Sequence, residues 1–117
     1  MKVLCVDDEP INLMILERIL GKKYKVISAE NGPKALEILQ KDPEIQLVVT
    51  DMQMPGMSGI ELIRQTDKQF PGKKYFMLSG YDITQEIQEA LDSSLISAYF
   101  QKPPDFKKLE EALQENF

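Results

Sequence analysis

The stretch QLVVTDMQMPGMSG, residues 46–59, decides the fold prediction for this chain. Its first five residues, Gln46–Thr50, have the composition of a buried strand, and Asp51 follows them directly. A charged residue at the end of an apolar strand is costly unless something uses the charge. In open α/β sheets, functional sites lie outside the carboxyl ends of the strands. Asp51 is therefore the candidate centre of a functional site, in a loop that continues from Met52 to Gly59.

Polar residues also follow three other apolar strands. In chain order these are Asp7 and Asp8 after Lys2–Val6, Ser79 after Tyr75–Leu78, and Lys102 just beyond Ile96–Phe100. Carboxylates, a hydroxyl and an ammonium thus stand at the ends of four strands. If the strands are parallel, these groups share one edge of the sheet.

Short apolar runs alternate with helix-period segments along the whole chain. The predicted strands are Lys2–Val6, Tyr24–Ser28, Gln46–Thr50, Lys74–Leu78 and Ile96–Phe100. Strict alternation implies a parallel sheet covered by helices on both faces. Right-handed crossovers leave few topologies, and five units of this size favour the flavodoxin-like α/β fold with strand order 2-1-3-4-5. The first and third strands are neighbours in that order, so Asp7, Asp8 and Asp51 should converge.

Local signals predict where four of the five helices begin. The first opens at Pro10 and stops at Gly21, and the second, third and fifth begin at Asn31, at Ser58 with Glu61, and at Asp105. The apolar period of the first helix predicts a buried face made of Ile11, Met14, Ile15 and Ile19. The fourth helix is predicted to carry Ile83, Ile87, Ala90 and Leu91, and the fifth to turn Phe106, Leu109 and Leu113 inward, with Phe117 near its end.

Composition limits the chemistry. A length of 117 residues suits one domain, and a net charge of −5 argues against binding nucleic acid through a basic face. Cys5 is the single cysteine and there is no histidine, which excludes histidine catalysis and a thiolate or imidazole zinc site within the chain. One cysteine fits a reducing compartment, so we expect a cytoplasmic protein. No apolar run approaches the ~20 residues that cross a bilayer.

The predicted edge of the sheet suits phosphoryl transfer. Three carboxylates in one crevice repel each other unless protons or a cation intervene, and Mg²⁺ prefers oxygen ligands and bridges to phosphate. Lys102 and Ser79 suit phosphoryl oxygens, one as a point charge and the other as a hydrogen-bond donor. An aspartate can itself be the covalent acceptor. The residues alone therefore suggest a Mg²⁺-assisted aspartyl phosphate at Asp51.

In these features the chain resembles the receiver domain of two-component response regulators over nearly its whole length. The motifs that carry the resemblance stand in the family's order and are Val6–Pro10, Asp51–Gly59, Ser79-Gly80 and Lys102-Pro103. Two details differ from the commonest pattern: Ser79 stands where Thr is frequent, and Pro104 follows the usual cis proline, Pro103. The resemblance implies one receiver domain over residues 1–117.

By this resemblance, Asp51 accepts a phosphoryl group from a histidine kinase or histidine phosphotransfer protein. Asp8, Asp51, the main-chain carbonyl of Gln53 and, through water, Asp7 would bind Mg²⁺, for which Mn²⁺ would substitute. Lys102 and Ser79 would contact phosphoryl oxygens, and Ser79 with Tyr99 would form the conformational switch that controls an effector protein or domain. Gln53 and Tyr81 would tune the lifetime of the phosphate.

The resemblance also implies that the domain is not a conventional enzyme, although it assists its own phosphorylation and dephosphorylation. It implies no membrane insertion and no direct contact with nucleic acid, and it leaves homodimerisation on phosphorylation undecided.

Three alternatives remain open at this point. A phosphatase of the haloacid dehalogenase type also forms an aspartyl phosphate, but it needs a second acid two residues after the nucleophile, where this chain has Gln53. A nucleotide- or flavin-binding module would need a phosphate loop after the first strand, where Asp7 and Asp8 would repel phosphate. A degenerate receiver used only for docking would normally lack an aspartate or the lysine, and this chain has them all.

Overall fold

A computed structural model describes residues 1–80 and 82–115. Strands and helices alternate in chain order as β1 (Lys2–Val6), α1 (Pro10–Leu20), β2 (Lys25–Ala29), α2 (Gly32–Lys41), β3 (Ile45–Asp51), α3 (Gly59–Gln69), β4 (Lys74–Ser79), α4 (Gln85–Asp92), β5 (Ala98–Gln101) and α5 (Phe106–Glu115). The five strands form one parallel sheet with the order β2-β1-β3-β4-β5. The predicted fold and strand order are confirmed.

The sheet separates two apolar cores. Alternate residues of each strand point to opposite faces, so Leu4 and Val48 belong to the core under α2, α3 and α4, whereas Val3 and Val49 belong to the core under α1 and α5. The buried Cys5 lies in the second core, and burial raises the pKa of its thiol to about 12. No helix in residues 1–80 and 82–115 has both the length and the apolar character to cross a membrane.

The strand register sets the position of the candidate site. Val6 at the end of β1 pairs with Thr50, and Asp51 at the end of β3 pairs with Leu78. The residues that follow these strands therefore emerge side by side at the carboxyl edge of the sheet.

The predicted helix caps are present. The Asn31 side chain accepts a hydrogen bond from the backbone N–H of Lys34 at 2.9 Å, and the Ser58 hydroxyl accepts one from Glu61 at 3.2 Å. The Asp105 carboxylate accepts hydrogen bonds from the backbone N–H groups of Lys107 and Lys108 at 3.1 and 3.2 Å. These caps satisfy backbone donors that the first turn of each helix leaves without partners.

The buried face of α1 differs from the prediction. Leu13, Leu16 and Leu20 pack against the sheet. Three of the four residues predicted to be buried are instead exposed large apolar residues, namely Ile11, Met14 and Ile15, while Ile19 is half-buried. The prediction was wrong because α1 carries apolar residues at helical spacing on two faces, and periodicity alone cannot decide which face meets the sheet.

Two boundaries near the end of the sheet also differ. Strand β5 begins at Ala98 rather than Ile96, because the backbone N–H of Ile96 bonds to the carbonyl of Ala90 at 3.2 Å and extends the turn after α4. Ile83 precedes α4 and is exposed rather than part of its packed face. Ile87 and Ala90 are buried as predicted. The predictions for Tyr81 and Phe117 lie outside the described residues.

Candidate functional site

Asp51 is the last residue of β3, and its position is fixed by the loop that follows. The backbone N–H of Met52 bonds to the carbonyl of Leu78 at 2.8 Å, and that of Gly59 bonds back to the carbonyl of Met52 at 2.9 Å. A Cβ atom at Gly59 would lie 2.3 Å from the backbone oxygen of Asp51. Only glycine therefore allows α3 to begin so close to the end of β3.

Lys102 bridges two carboxylates. Its Nζ lies 2.9 Å from Oδ2 of Asp7 and 3.2 Å from Oδ2 of Asp51. Its backbone N–H bonds to the carbonyl of Ser79 at 2.7 Å, and the peptide bond to Pro103 is cis, as the resemblance implied. The site is therefore more than a cluster of three repelling acids, because one ammonium group lies between two of them.

Asp7 and Asp8 have different surroundings. Asp7 is buried, and its Oδ1 accepts a hydrogen bond from the backbone N–H of Glu9 at 2.9 Å. Its Oδ2 accepts from Asn12 Nδ2 at 3.3 Å as well as from Lys102. Asp8 is exposed to solvent. Sequence reasoning missed Asn12, whose place in the first turn of α1 after the acidic pair was the available signal.

The acidic side chains fit a hard cation. Asp7, Asp8 and Asp51 each offer a carboxylate oxygen, and these oxygens lie within 4.8 Å of one another. Mg²⁺ binds oxygen ligands at 2.0–2.1 Å and usually keeps several waters, so a few carboxylates at an open edge are sufficient. Both carboxylate oxygens of Asp7 already accept hydrogen bonds, Oδ1 from the backbone N–H of Glu9 and Oδ2 from Asn12 and Lys102. The carboxylates of Asp8 and Asp51 therefore have the greater capacity for direct coordination.

Burial dominates the electrostatics of Asp51. The pKa of its carboxyl is raised mainly because burial disfavours the charged form; the positive charge of Lys102 opposes this shift and the negative charge of Asp7 adds to it. For Lys102, burial acts to lower the pKa, but the hydrogen bond to Asp7 and the charges of both aspartates outweigh it, so the pKa is raised. Lys102 thus remains a cation at neutral pH. The charged form of the neighbouring Asp51 carboxylate is disfavoured by burial.

The predicted switch residues occupy the two strands beyond the acceptor. Ser79 is the fully buried end of β4, and its hydroxyl donates a hydrogen bond to Oε1 of Gln53 at 2.9 Å. Tyr99 in β5 pairs with Met77 and packs, half-buried, against the core under α4. The Gln53 contact was not foreseen, since the sequence does not show where a loop side chain points.

An apolar cleft leads to the site. It has a volume of about 290 Å³, and its walls include Asp7, Lys102 and Ile15. A second cleft of about 310 Å³ lies along the exposed side of α1, past Met14 and Ile11, and shares Ile15 with the first. The exposed face of α1 is therefore continuous with the edge of the sheet that carries Asp51.

Comparison with known proteins identifies the family of this chain. The family described as the response regulator receiver domain matches residues 3–114. The chain is 30% identical over 115 residues to sporulation initiation phosphotransferase F of Bacillus subtilis, covering 97% of this chain and 91% of that protein. It is 34% identical over 118 residues to the sensor histidine kinase GacS of Pseudomonas protegens, covering 96% of this chain.

The matched proteins differ greatly in length. The chain spans 13% of GacS and 21% of the hydrogenase transcriptional regulatory protein HoxA of Cupriavidus necator. Among solved structures, response regulator TrrA from Thermotoga maritima, in complex with Mg(2+)-BeF, is similar with a TM-score of 0.85 and 30% identity, covering 99% of this chain and 98% of that one. From the match over residues 3–114 and the shared fold, the chain belongs to the response regulator receiver domain family.

Proposed function

We propose that this domain is a phosphorylation switch in which Asp51 receives a phosphoryl group from a histidine kinase or a histidine phosphotransfer protein. The observation that carries the proposal is the buried Asp51 carboxylate, with the Lys102 ammonium 3.2 Å away and the carboxylates of Asp7 and Asp8 beside it. Receiver domains are signalling domains rather than conventional enzymes.

The transfer is a displacement at phosphorus. A carboxylate oxygen of Asp51 forms a bond to the phosphorus atom while the bond from phosphorus to the donor's nitrogen breaks, and the electron pair of that bond leaves with the donor. Lys102 is positioned to bind a phosphoryl oxygen, because its Nζ already lies 3.2 Å from Asp51. The fixed loop holds the nucleophile in place, which is the main requirement of phosphoryl transfer.

Mg²⁺ is the proposed cofactor, with Mn²⁺ as a substitute. Asp8, Asp51 and the main-chain carbonyl of Gln53 would hold the cation, with Asp7 acting through water. A bound divalent cation would neutralise the charge of the acids and of the phosphoryl oxygens. The Mg(2+)-BeF complex of the similar TrrA supports this choice.

The phosphodonor is proposed to dock on the exposed face of α1, formed by Ile11, Met14 and Ile15. This face continues into the cleft that is lined by Asp7 and Lys102. A donor histidine must come within bonding distance of Asp51, so its protein must cover the surface beside this edge of the sheet. A contiguous exposed apolar surface is typical of a protein-binding site.

The output is proposed to pass through Ser79 and Tyr99. Ser79 would move toward the phosphoryl group, and Tyr99 would turn inward behind it, changing the surface formed by α4, β5 and α5. The modification would bias an existing equilibrium rather than create a new fold. The effector, and autodephosphorylation at the same site, belong to this proposal.

Labelling with a small phosphodonor tests the proposal. With Mg²⁺ and acetyl phosphate, intact-mass analysis should show one added phosphoryl group on the wild type and none on Asp51→Asn. Asp92→Asn, which changes an exposed acid at the end of α4, is the matched control and should be labelled like the wild type. Equal labelling of Asp51→Asn and wild type would refute Asp51 as the acceptor.

A further inference from the structure

We infer that Gln53 is a positioning residue that holds the Ser79 hydroxyl in the resting position and thereby opposes capture of the phosphoryl group. This inference rests on the proposed function and names a regulator of the same site. Its basis is the 2.9 Å hydrogen bond that the Ser79 hydroxyl donates to Oε1 of Gln53.

Gln53 contacts both the acceptor and the switch. The backbone of Gln53, two residues after Asp51, acts to lower the pKa of the Asp51 carboxyl. The side chain of the same residue accepts from Ser79 at the end of β4. One loop residue thus joins the nucleophile at the end of one strand to the hydroxyl at the end of the next.

The two contacts of Gln53 differ in how easily they break. Its backbone is held within a loop that is fixed on both sides, by the bond from Met52 to Leu78 and by the bond from Gly59 to Met52. Gln53 is exposed to solvent, whereas Ser79 is fully buried. The Gln53 side chain can therefore release Ser79 and be solvated without any change in the loop, while the hydroxyl needs a partner in both states.

The hydroxyl has a single proton to donate. It cannot donate that proton to Gln53 and fully to a phosphoryl oxygen at the same time, so capture of the phosphoryl group requires the Gln53 bond to break. A neutral hydrogen bond of this kind contributes a modest net free energy, which corresponds to a factor of about 2 to 10 in an equilibrium constant. Removing the acceptor at position 53 should favour the activated state by that factor.

If the Gln53 side chain instead assisted capture of the phosphoryl group, its removal would change the affinity for that group in the opposite direction. Its amide group carries two donors as well as the acceptor oxygen. If the side chain turned and donated to the phosphoryl group, removing it would weaken capture. The direction of the change therefore distinguishes a restraint on the resting state from a contact made in the activated state.

The experiment measures the affinity for beryllofluoride, a phosphoryl mimic, in saturating Mg²⁺ by titration of amide spectra. Gln53→Met, which keeps the length of the side chain but removes the acceptor, should bind about 2- to 10-fold more tightly than wild type. Gln53→Ala serves as a second variant if methionine disturbs the loop. Gln65→Met, at an exposed glutamine of α3, is the matched control and should bind like wild type.

A double-mutant cycle with Ser79 excludes a merely structural effect. The gain in beryllofluoride affinity from Gln53→Met should disappear in a Ser79→Ala background, where there is no hydroxyl to restrain. It should persist in a Ser79→Thr background, which keeps a hydroxyl. Unchanged or weaker binding by Gln53→Met, or an equal gain in the Ser79→Ala background, would overturn the inference while leaving Asp51 as acceptor. Failure of the wild type to bind the mimic or to take up phosphate would overturn the proposed function, and this inference with it.

Discussion

Replacing Lys102 with methionine should leave two buried carboxylates without their cation. The side chains of Asp7 and Asp51 are 1% and 5% exposed, and Lys102 Nζ lies 2.9 and 3.2 Å from their oxygens. Methionine retains much of the volume of the lysine stem but carries no charge. The change therefore removes the electrostatic partner with little loss of packing.

The expected loss of stability follows from this burial. Removing one partner of a buried ion pair costs about 3–5 kcal/mol. Lys102 is 19% exposed and Asp8 is open to solvent, so water will enter and the cost should fall at or just below the lower end of that range, about 2–3 kcal/mol at neutral pH. For a chain of this size, about 1 kcal/mol corresponds to about 4 °C, so the melting temperature should fall by about 10 °C.

The loss of stability caused by Lys102→Met should depend on pH and on bound Mg²⁺. Burial already raises the folded-state pKa of Asp51, and without the opposing charge of Lys102 that pKa rises further. A raised folded pKa contributes stability that is present below the unfolded value, ~3.9, and lost as pH rises through the folded value. The deficit of Lys102→Met should therefore be large at pH 7 and small near pH 4.

Mg²⁺ should reduce the deficit, because the variant should bind the cation more tightly than wild type once a competing charge has left. Both proteins are stabilised by Mg²⁺, so at saturation the deficit shrinks by the ratio of their Kd values, about 1.4 kcal/mol for a tenfold ratio. The assay is thermal melting in chelator and in Mg²⁺, at both pH values. Lys68→Met, at an exposed lysine of α3, is the matched control and should shift by less than about 0.5 kcal/mol. An unchanged melting temperature for Lys102→Met in chelator at pH 7 would refute the bridging role of Lys102.

Asp51→Asn should be more stable than wild type in chelator, by about 1 kcal/mol at pH 7, because burial makes the charged form of Asp51 costly. Melting temperatures of the two proteins that converge near pH 4 would support this cause, and a lower melting temperature of the variant at pH 7 would contradict it. Asp8→Asn should remove most of the stabilisation that Mg²⁺ gives to wild type, and titration followed by melting would expose an unchanged response. Gly59→Ala should cost at least about 2 kcal/mol and slow labelling by acetyl phosphate, since its Cβ would lie 2.3 Å from the Asp51 backbone oxygen; normal stability and labelling would argue against the close approach. Ile15→Lys should slow phosphotransfer from a histidine phosphotransfer protein but not labelling by acetyl phosphate, and equal slowing of both reactions would count against α1 as the docking face.

The positions of Asp7, Asp8 and Asp51 were predictable because they depend on topology. Alternating elements and the right-handed crossover rule place β1 beside β3, and parallel strands bring their carboxyl ends to one edge. The helix caps were predictable because Asn31 and Ser58 act within a few residues of themselves. Local chemistry and simple connectivity therefore define most of the site.

Side-chain orientation was not predictable from the same patterns. The sequence of α1 offers two apolar faces, and only packing on the sheet selects Leu13 and Leu16 over Ile11 and Met14. The Gln53–Ser79 hydrogen bond joins residues 26 positions apart and depends on how the loop after β3 folds. Lys102 was predicted to join the site, but its place between Asp7 and Asp51 required the actual distances.

The identity of the phosphorylated residue tests the central claim most directly. After reaction with Mg²⁺ and acetyl phosphate, borohydride reduction converts an aspartyl phosphate to homoserine, and peptide mapping then locates the change. The account predicts homoserine at position 51 alone, and none when Mg²⁺ is chelated. Modification at Asp7 or Asp8 instead, or a phosphorylated protein with no homoserine at position 51, would contradict it.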